Sequence, residues 1–180
     1  MSPVRKRKIL LLLNARAAED EYLAEAVEEL RGRGHVIDAV PLEESGHARR
    51  AAAAAARKGY GAVVAAGGDG TLNEVVNGAC GARPPCPVGV LPYGTANDFA
   101  TGCGIADLPR FDQLLLVAEG EPTPIDVGRA VALGAGPPDL PSAWKDGEQR
   151  LFVNVASGGF GAEVTADTPG VLKDLLGGLA

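Results

Sequence analysis

The sequence predicts an α/β fold in which a parallel sheet is flanked by helices and followed by the start of an incomplete, β-rich second domain. Short apolar runs alternate with segments whose apolar residues return at helical spacing, a pattern typical of a parallel sheet covered by helices. Glycine-rich segments directly follow two of the apolar runs, where open α/β folds bind ligands. Later in the chain two strand-like runs succeed each other without a helix, which indicates an antiparallel pair.

The first two elements illustrate both patterns. The run from Ile9 to Leu13 is continuously apolar, as expected of a strand buried on both faces. In residues 19–33 apolar positions recur at helical spacing, with acids at the start and arginines at the end, which complements the helix dipole. Gly34 follows as a helix stop signal. We therefore expect a strand over 9–14 and then a helix.

The same alternation continues through the first domain. Six consecutive alanines within residues 48–58 predict a slim helix that lies close on the sheet. Beyond Glu121 the pattern changes, so we place a domain boundary near Pro122, which gives domains over 1–122 and 123–180. Further strands are predicted at 35–41, 62–66, 88–91, 123–129 and 150–156, and further helices at 48–58, 71–77 and 108–119.

Composition excludes several classes of protein. The 180 residues carry a net charge of −6, which argues against general nucleic-acid binding, because such proteins need a basic surface for phosphates. The early apolar run is far shorter than the roughly 20 residues of a membrane-spanning helix. No small-residue cleavage pattern follows it, so we expect no signal peptide. Cys80, Cys86 and Cys103 lack metal-ligand spacing, which indicates reduced thiols in a cytoplasmic protein.

The most informative segment is residues 67–78, with the sequence GGDGTLNEVVNG. It leaves a buried strand and enters a helix. Gly67, Gly68 and Gly70 allow positive φ angles and let backbone N–H groups approach phosphate oxygens. The following helix adds the positive end of its dipole. Asp69 is placed to hold a phosphate-bound Mg²⁺, directly or through water.

Two of these residues also have a structural interpretation. Thr71 and Glu74 have the N-cap and N3 spacing of a capping box, and the Thr71 hydroxyl suits a cap, a phosphate contact or both. Asp69 has no comparable structural role in a glycine-rich turn. The segment lacks the Lys of a P-loop and the glycine spacing of the dinucleotide fingerprint. Phosphate binding is therefore the favoured interpretation.

A second loop of the same kind follows the strand predicted at 88–91. Residues 91–100 read LPYGTANDFA, and because neighbouring parallel strands end at one edge, we expect this loop to face the first across a cleft. An alternative is that Thr95 caps a turn over 97–101, with Asp98 at its third position. A third glycine cluster, SGGFG, occupies residues 157–161.

These segments together resemble the diacylglycerol kinase catalytic family, and within it the YegS-like bacterial lipid kinases. The resemblance rests on residues 67–78, on 91–101, on Ile125 with Asp126, and on 152–178. The first motif is shared with NAD kinases and phosphofructokinases, which have a similar nucleotide-binding domain. The second and fourth motifs are more specific and favour the lipid kinases.

The resemblance implies an enzyme that transfers the γ-phosphoryl group of ATP to a lipid hydroxyl, of the phosphatidylglycerol or diacylglycerol type, with Mg²⁺. ATP would lie between the two domains. Asp69 and Asp126 would hold the metal, through water, and Glu74, Asn97 and Asp98 would support the site. The ATP contacts implied are Gly67, Gly68, Asp69, Gly70, Thr71, Leu72, Asn73 and Thr95.

Two departures from the family pattern stand out. Leu42 occupies the position of a Thr that contacts the nucleotide in many members. The general base and structural metal ligands of the family lie in a segment beyond residue 180, so we expect a truncated chain with little activity alone. Glu163, near the third glycine cluster, is the one remaining candidate base within these residues.

Other functions and partners follow from the same observations. An NAD-kinase-like enzyme is the alternative enzyme class, and an ATP-binding module completed by another chain is the non-enzymatic alternative. The lipid substrate would be reached from the cytoplasm at the inner membrane face. Incomplete second-domain edges would favour a homo-oligomer.

Overall fold

A four-stranded parallel sheet forms the centre of the computed structural model, which describes residues 6–82, 85–132 and 147–154. The strand order is β2-β1-β3-β4, and all three neighbouring pairs are parallel. The predicted parallel sheet is thus confirmed. The strands are β1 (Lys8–Leu13), β2 (Val36–Pro41), β3 (Ala62–Gly67) and β4 (Val88–Pro92).

Helices cover both faces of this sheet. Helices α2 and α6 pack on one face, and α3 and α4 pack on the other. The central strand β1 is buried on both sides, because Ile9 and Leu11 join the first cluster while Leu10 and Leu12 join the second. The helices are α1 (Ala15–Ala18), α2 (Glu21–Gly32), α3 (His47–Ala55), α4 (Asp69–Ala79), α5 (Asp98–Gly102) and α6 (Arg110–Glu119), with a 3-10 turn at Ala56–Lys58.

The helix predicted over 19–33 begins later than expected, and a separate short helix, α1, precedes it. Asp20 divides the two, because its carboxylate accepts hydrogen bonds from the N–H groups of Tyr22 and Leu23 as the N-cap of α2. Asn14 caps α1 in the same way through Ala17.

The alanine-rich helix α3 packs closely, as predicted, and its neighbours include α4 as well as the sheet. Gly78 of α4 lies against it, where a Cβ would be 2.9 Å from the Ala52 Cβ and would overlap the Arg49 carbonyl oxygen. Small residues on both helices therefore allow the two backbones to approach.

The second segment contains an antiparallel hairpin, as predicted, formed by β5 (Gly128–Val131) and β6 (Gln149–Phe152). The strand predicted at 123–129 was wrong over 123–127, since β5 begins only at Gly128. Pro124 offers no backbone N–H to a sheet, which disfavours strand pairing near the start of that segment. The strand predicted at 150–156 was wrong at 153 and 154, since β6 ends at Phe152, and its residues 155 and 156 lie outside the described residues, as do 157–161 and Glu163. The proposed boundary near Pro122 stays a prediction.

The described residues include no membrane-spanning helix, and they include all three cysteines of the chain. None of the helices there is long and apolar enough to cross a membrane. Cys80, Cys86 and Cys103 are free thiols, and burial raises the pKa of Cys80 and Cys86.

Candidate functional site

The candidate site lies at the carboxyl edge of the sheet, where the strand order changes direction. From β1 the chain first passes to β2 on one side and then to β3 on the other, so the carboxyl ends of β1 and β3 border the switch point. A cavity of about 280 Å³ opens there. Its walls are Asn14 and Ala15 after β1, residues 42–44 after β2, and Thr71 and Glu74 of α4.

The two glycine loops meet at this edge. The first loop (residues 67–71) and the second loop (residues 92–97) are in backbone contact, since a Cβ on Gly68 would lie 3.0 Å from the Gly94 Cα. The Tyr93 N–H also donates to the Gly67 carbonyl oxygen at 3.0 Å. The predicted proximity is confirmed, but at this contact no cleft separates the loops, because β3 and β4 are adjacent strands.

Two glycines of the first loop allow neighbouring atoms to approach the backbone closely, and none of them has an unusual backbone angle. The positive φ that glycine allows is not used there, because none of Gly67, Gly68 and Gly70 has one. Gly67 leaves room for the Thr71 side chain, and Gly68 leaves room for the second loop. Gly70 differs from both, because a Cβ built on it meets no atom of the described residues within 4 Å.

Helix α4 begins at Asp69, two residues earlier than predicted, and the capping-box interpretation was wrong. Gly68 is the N-cap and supplies no side-chain cap. Thr71 therefore lies within the first turn. Glu74 instead caps α3, because its Oε1 accepts hydrogen bonds from the Gly46 N–H at 2.8 Å and the Ser45 hydroxyl at 3.4 Å.

Asp69 has the structural role that the sequence did not reveal. Its Oδ2 accepts from the Asp98 N–H at 3.2 Å, and its Oδ1 accepts from the Phe99 N–H at 3.4 Å. Asp69 thus caps α5 from a different element, and the Asn154 amide also donates to its Oδ1, at 2.8 Å. The expectation that Asp69 has no structural role was wrong.

Helix α5 needs this cap because its own N-cap residue is turned away. Asn97 has a φ of 53°, and its side chain is paired with the Gly94 backbone at 2.8 and 2.9 Å. The interpretation of Thr95 as the cap was wrong, and Asp98 is the first residue of α5 rather than the third. Thr95 and Asp98 are exposed at this edge.

The remaining predicted site residues have varied surroundings. Leu72 is a core residue, only 2% exposed, and its N–H donates to the Gly68 carbonyl oxygen. The Asn73 amide donates to the Leu151 carbonyl oxygen of β6 at 3.0 Å. Asp126 is exposed in the segment before β5. Within the ranges described, no group of three or more His, Cys, Asp and Glu residues is placed to hold a metal ion.

A buried network anchors the second loop, and sequence reasoning missed it. Tyr93 is 8% exposed and donates its hydroxyl hydrogen to Asp20. Burial, with that hydrogen bond, raises the pKa of Tyr93, while the Arg110 guanidinium, 4.3 Å from the ring centroid, opposes the shift. Asn14 joins the network by donating to the Tyr93 carbonyl oxygen at 3.1 Å.

Comparison with known proteins agrees with this arrangement. The profile of the diacylglycerol kinase catalytic domain matches residues 8–130, a range that contains the sheet and both glycine loops. The chain belongs to the diacylglycerol kinase catalytic domain family. The match also includes Leu42 and Asp126, whereas β6 lies beyond it.

Similar sequences and a similar fold are found among proteins named as lipid kinases or diacylglycerol kinases. "Probable lipid kinase YegS-like" from Cronobacter sakazakii is 38% identical over 94% of this chain, and its counterpart from Pseudomonas putida is 40% identical over 97%. Each alignment covers 52% of the relative, so the chain spans about half the length of these curated relatives. A diacylglycerol kinase structure from Bacillus anthracis shares the fold, with a TM-score of 0.58 and 22% identity, over 71% of this chain and 45% of that one.

Proposed function

We propose that this chain is the nucleotide-binding part of an ATP-dependent lipid kinase, which transfers the γ-phosphoryl group to a hydroxyl of phosphatidylglycerol or diacylglycerol type. The observation that carries the proposal is the open space at Gly70, in the first turn of α4 beside the switch point. Among the residues that the structure describes, no side chain caps this helix start. Uncapped N–H groups there are suitable partners for phosphate oxygens.

The residues of the first loop divide into two groups in this proposal. The N–H groups of Gly70 and Thr71 bind phosphate oxygens, and the exposed Thr95 hydroxyl of the second loop adds a contact from the other side. Gly67, Gly68 and Leu72 hold the loop in place through their packing. Asn73 contributes indirectly, because its side chain is bonded to β6.

The acidic residues at this edge suit a phosphate-bound Mg²⁺, which would neutralise charge on the transferred group. Three N–H donors fix the orientation of the Asp69 carboxylate. One of them is the backbone N–H of Asp98, whose own carboxylate is exposed at the same edge. We propose that Asp69 and Asp126 hold the metal through water. Asp98 would support them electrostatically.

The lipid-kinase interpretation is favoured over an NAD kinase because the matched profile and the relatives named above are those of lipid kinases. Since those relatives are about twice as long, we propose that phosphoryl transfer needs a general base beyond these residues. The chain alone would then bind Mg·ATP without turnover, as would a module completed by another chain. The lipid would be reached at the inner membrane surface, and a homo-oligomer through second-domain edges stays a prediction.

Substitution of Gly70 tests the site. Gly70→Val fills the open space and should weaken Mg·ATP binding at least about 100-fold in titration calorimetry while the protein stays folded. Gly32→Val is the matched control, because a Cβ at Gly32 also meets nothing within 4 Å and the residue lies at the far end of α2. Equal affinities of Gly70→Val and the unaltered chain would refute the phosphate site.

A lipid phosphorylation assay tests the proposal that residues 1–180 bind Mg·ATP but need a further segment for phosphoryl transfer. Residues 1–180 should transfer no label from ATP to phosphatidylglycerol or diacylglycerol in mixed micelles, whereas a longer chain of the relatives' length should do so. Robust transfer by residues 1–180 alone would overturn the need for a further segment and would turn attention to Glu163 and Asp98 as bases.

A further inference from the structure

Helix α4 holds strand β6 through a pair of hydrogen bonds that resembles strand pairing. The Asn77 Oδ1 accepts from the Leu151 N–H at 2.9 Å, and the Asn77 Nδ2 donates to the Leu151 carbonyl oxygen at 2.8 Å. One side chain thus satisfies both backbone groups of Leu151. Asn73, one turn earlier on α4, donates to the same carbonyl oxygen at 3.0 Å.

These hydrogen bonds fix the register of β6 against α4. The apolar contacts of Leu151 and Val153 with the core are less specific, because sliding a strand by two residues returns the same face to the core. Such a slip moves each residue about 7 Å along the strand. The amide of Asn77 recognises one backbone position and so excludes the slip.

Register matters here because Asn154 follows Leu151 by three residues. Its amide donates to the Asp69 Oδ1 at 2.8 Å, a contact that a slip of about 7 Å would break. The Asp69 carboxylate in turn accepts hydrogen bonds from the N–H groups of Asp98 and Phe99. Asn77 is therefore joined to the acid of the first loop and to α5 by hydrogen bonds at Leu151 and Asn154 and by the backbone between these two residues.

We infer that Asn77 is a positioning residue for Asp69: by fixing Leu151 it places the Asn154 amide on the Asp69 carboxylate and orients that carboxylate for the nucleotide. The consequence for binding rests on the proposed function. The predicted position of the Asn154 amide does not depend on the proposed function. The role of Asn77 and the proposed function can therefore be refuted separately. Within α4 the Asn77 Nδ2 also donates to the Asn73 carbonyl oxygen at 2.9 Å and to the Asn73 Oδ1 at 3.2 Å.

The first test needs no ligand and uses NMR on the full 180-residue chain. Asn77→Leu keeps the size of the side chain and removes its hydrogen bonds to Leu151 and to Asn73, whereas Asn77→Asp keeps the acceptor for the Leu151 N–H. In Asn77→Leu the side-chain amide resonance of Asn154 should move to its position in Asp69→Ala, and the Leu151 amide should exchange at least about tenfold faster.

A control separates positioning from loss of stability. Val27→Ala removes buried methyl groups from α2, on the other face of the sheet, and should lower global stability by a similar amount. It should leave the Asn154 resonance unchanged. An unchanged Asn154 resonance in Asn77→Leu, or the same displacement in Val27→Ala, would overturn the inference.

The second test measures Mg·ATP affinity. Asn77→Leu should weaken binding about 5- to 10-fold, Asn77→Asp less, and Val27→Ala not at all. Asn154→Ala should match Asn77→Leu, and the double variant should bind no more weakly than either single one, because both act through one contact. Additive losses would refute the shared route. If the unaltered chain binds no nucleotide, the proposed function fails, and the Asn154 resonance still decides the role of Asn77.

Discussion

The two glycine loops lie side by side at the same edge of the sheet, yet their glycines serve different purposes. Gly70 in the first loop faces open space. Gly94 in the second loop is enclosed, since a Cβ there would overlap the Gly68 Cα and lie 2.9 Å from the Asn97 Oδ1. A missing side chain thus leaves space beside one loop, where we propose that phosphate binds, and makes room for the protein backbone in the other.

The polar residues of the two loops differ in the same way. In the second loop the Tyr93 side chain is hydrogen-bonded to Asp20, and the Asn97 side chain is hydrogen-bonded to the Gly94 backbone. In the first turn of α4 no side chain within the described ranges caps the backbone N–H groups. The second loop therefore supports the first, and substitutions should separate stability from binding.

Gly94→Ala should produce the largest loss of stability. Its Cβ would overlap backbone atoms of the first loop, which cannot move aside as a flexible side chain could, so we expect a loss of about 3 kcal/mol. Urea unfolding measures the loss, and Gly102→Ala, which meets nothing within 4 Å, is the control. If Gly94→Ala were as stable as Gly102→Ala, the two loops would not be in contact.

Asp69→Ala should combine both kinds of effect, because Asp69 connects the loops. Loss of the α5 cap should lower the free energy of unfolding by about 1–2 kcal/mol. Mg²⁺-dependent nucleotide binding should also weaken, whereas Glu74→Ala, which removes the cap of α3 at the cavity wall, should cost about 1 kcal/mol and weaken binding less. Identical calorimetric traces for Asp69→Ala and the unaltered chain would exclude Asp69 from the metal site.

The sequence predicted the elements well and the partners of individual side chains poorly. The apolar run of β1 and the helical spacing of α2 are local patterns, and the structure confirms both. Asp69 and Glu74 cap helices that lie 28 or more residues away along the chain. An acid suits a metal, a phosphate loop or a distant helix start equally well, and only tertiary packing decides among them.

Tyr93→Phe should change the pH dependence of stability, as expected if Tyr93 has a structural role in the second loop. Burial raises the pKa of Tyr93, so its contribution to stability is complete below its unfolded pKa of about 10 and is lost as pH rises further. The unaltered protein should lose about 1.4 kcal/mol per pH unit above pH 10 through this group. The Phe variant should be about 1 kcal/mol less stable near pH 8 and less steep above pH 10.

Tyr60→Phe provides the comparison for that profile. The hydrogen bond to Asp38 raises the pKa of Tyr60 to about 12, and Tyr60 lies away from both loops. Both variants should flatten the alkaline limb of a urea-unfolding series, and neither should change Mg·ATP affinity by more than about twofold. Parallel profiles for Tyr93→Phe and the unaltered protein would contradict the raised pKa of Tyr93.

Leu42→Thr should give the smallest effect and the only gain. Leu42 borders the cavity beside the first loop, where it presents an apolar side chain to a proposed phosphate site. A threonine hydroxyl there adds one hydrogen bond to the nucleotide, worth about 1 kcal/mol, which corresponds to roughly fivefold tighter Mg·ATP binding. Leu42→Val, with the same shape as the threonine and no hydroxyl, should bind like the unaltered chain. If the threonine and valine variants bind Mg·ATP equally, then the nucleotide does not reach the wall of the cavity at residue 42.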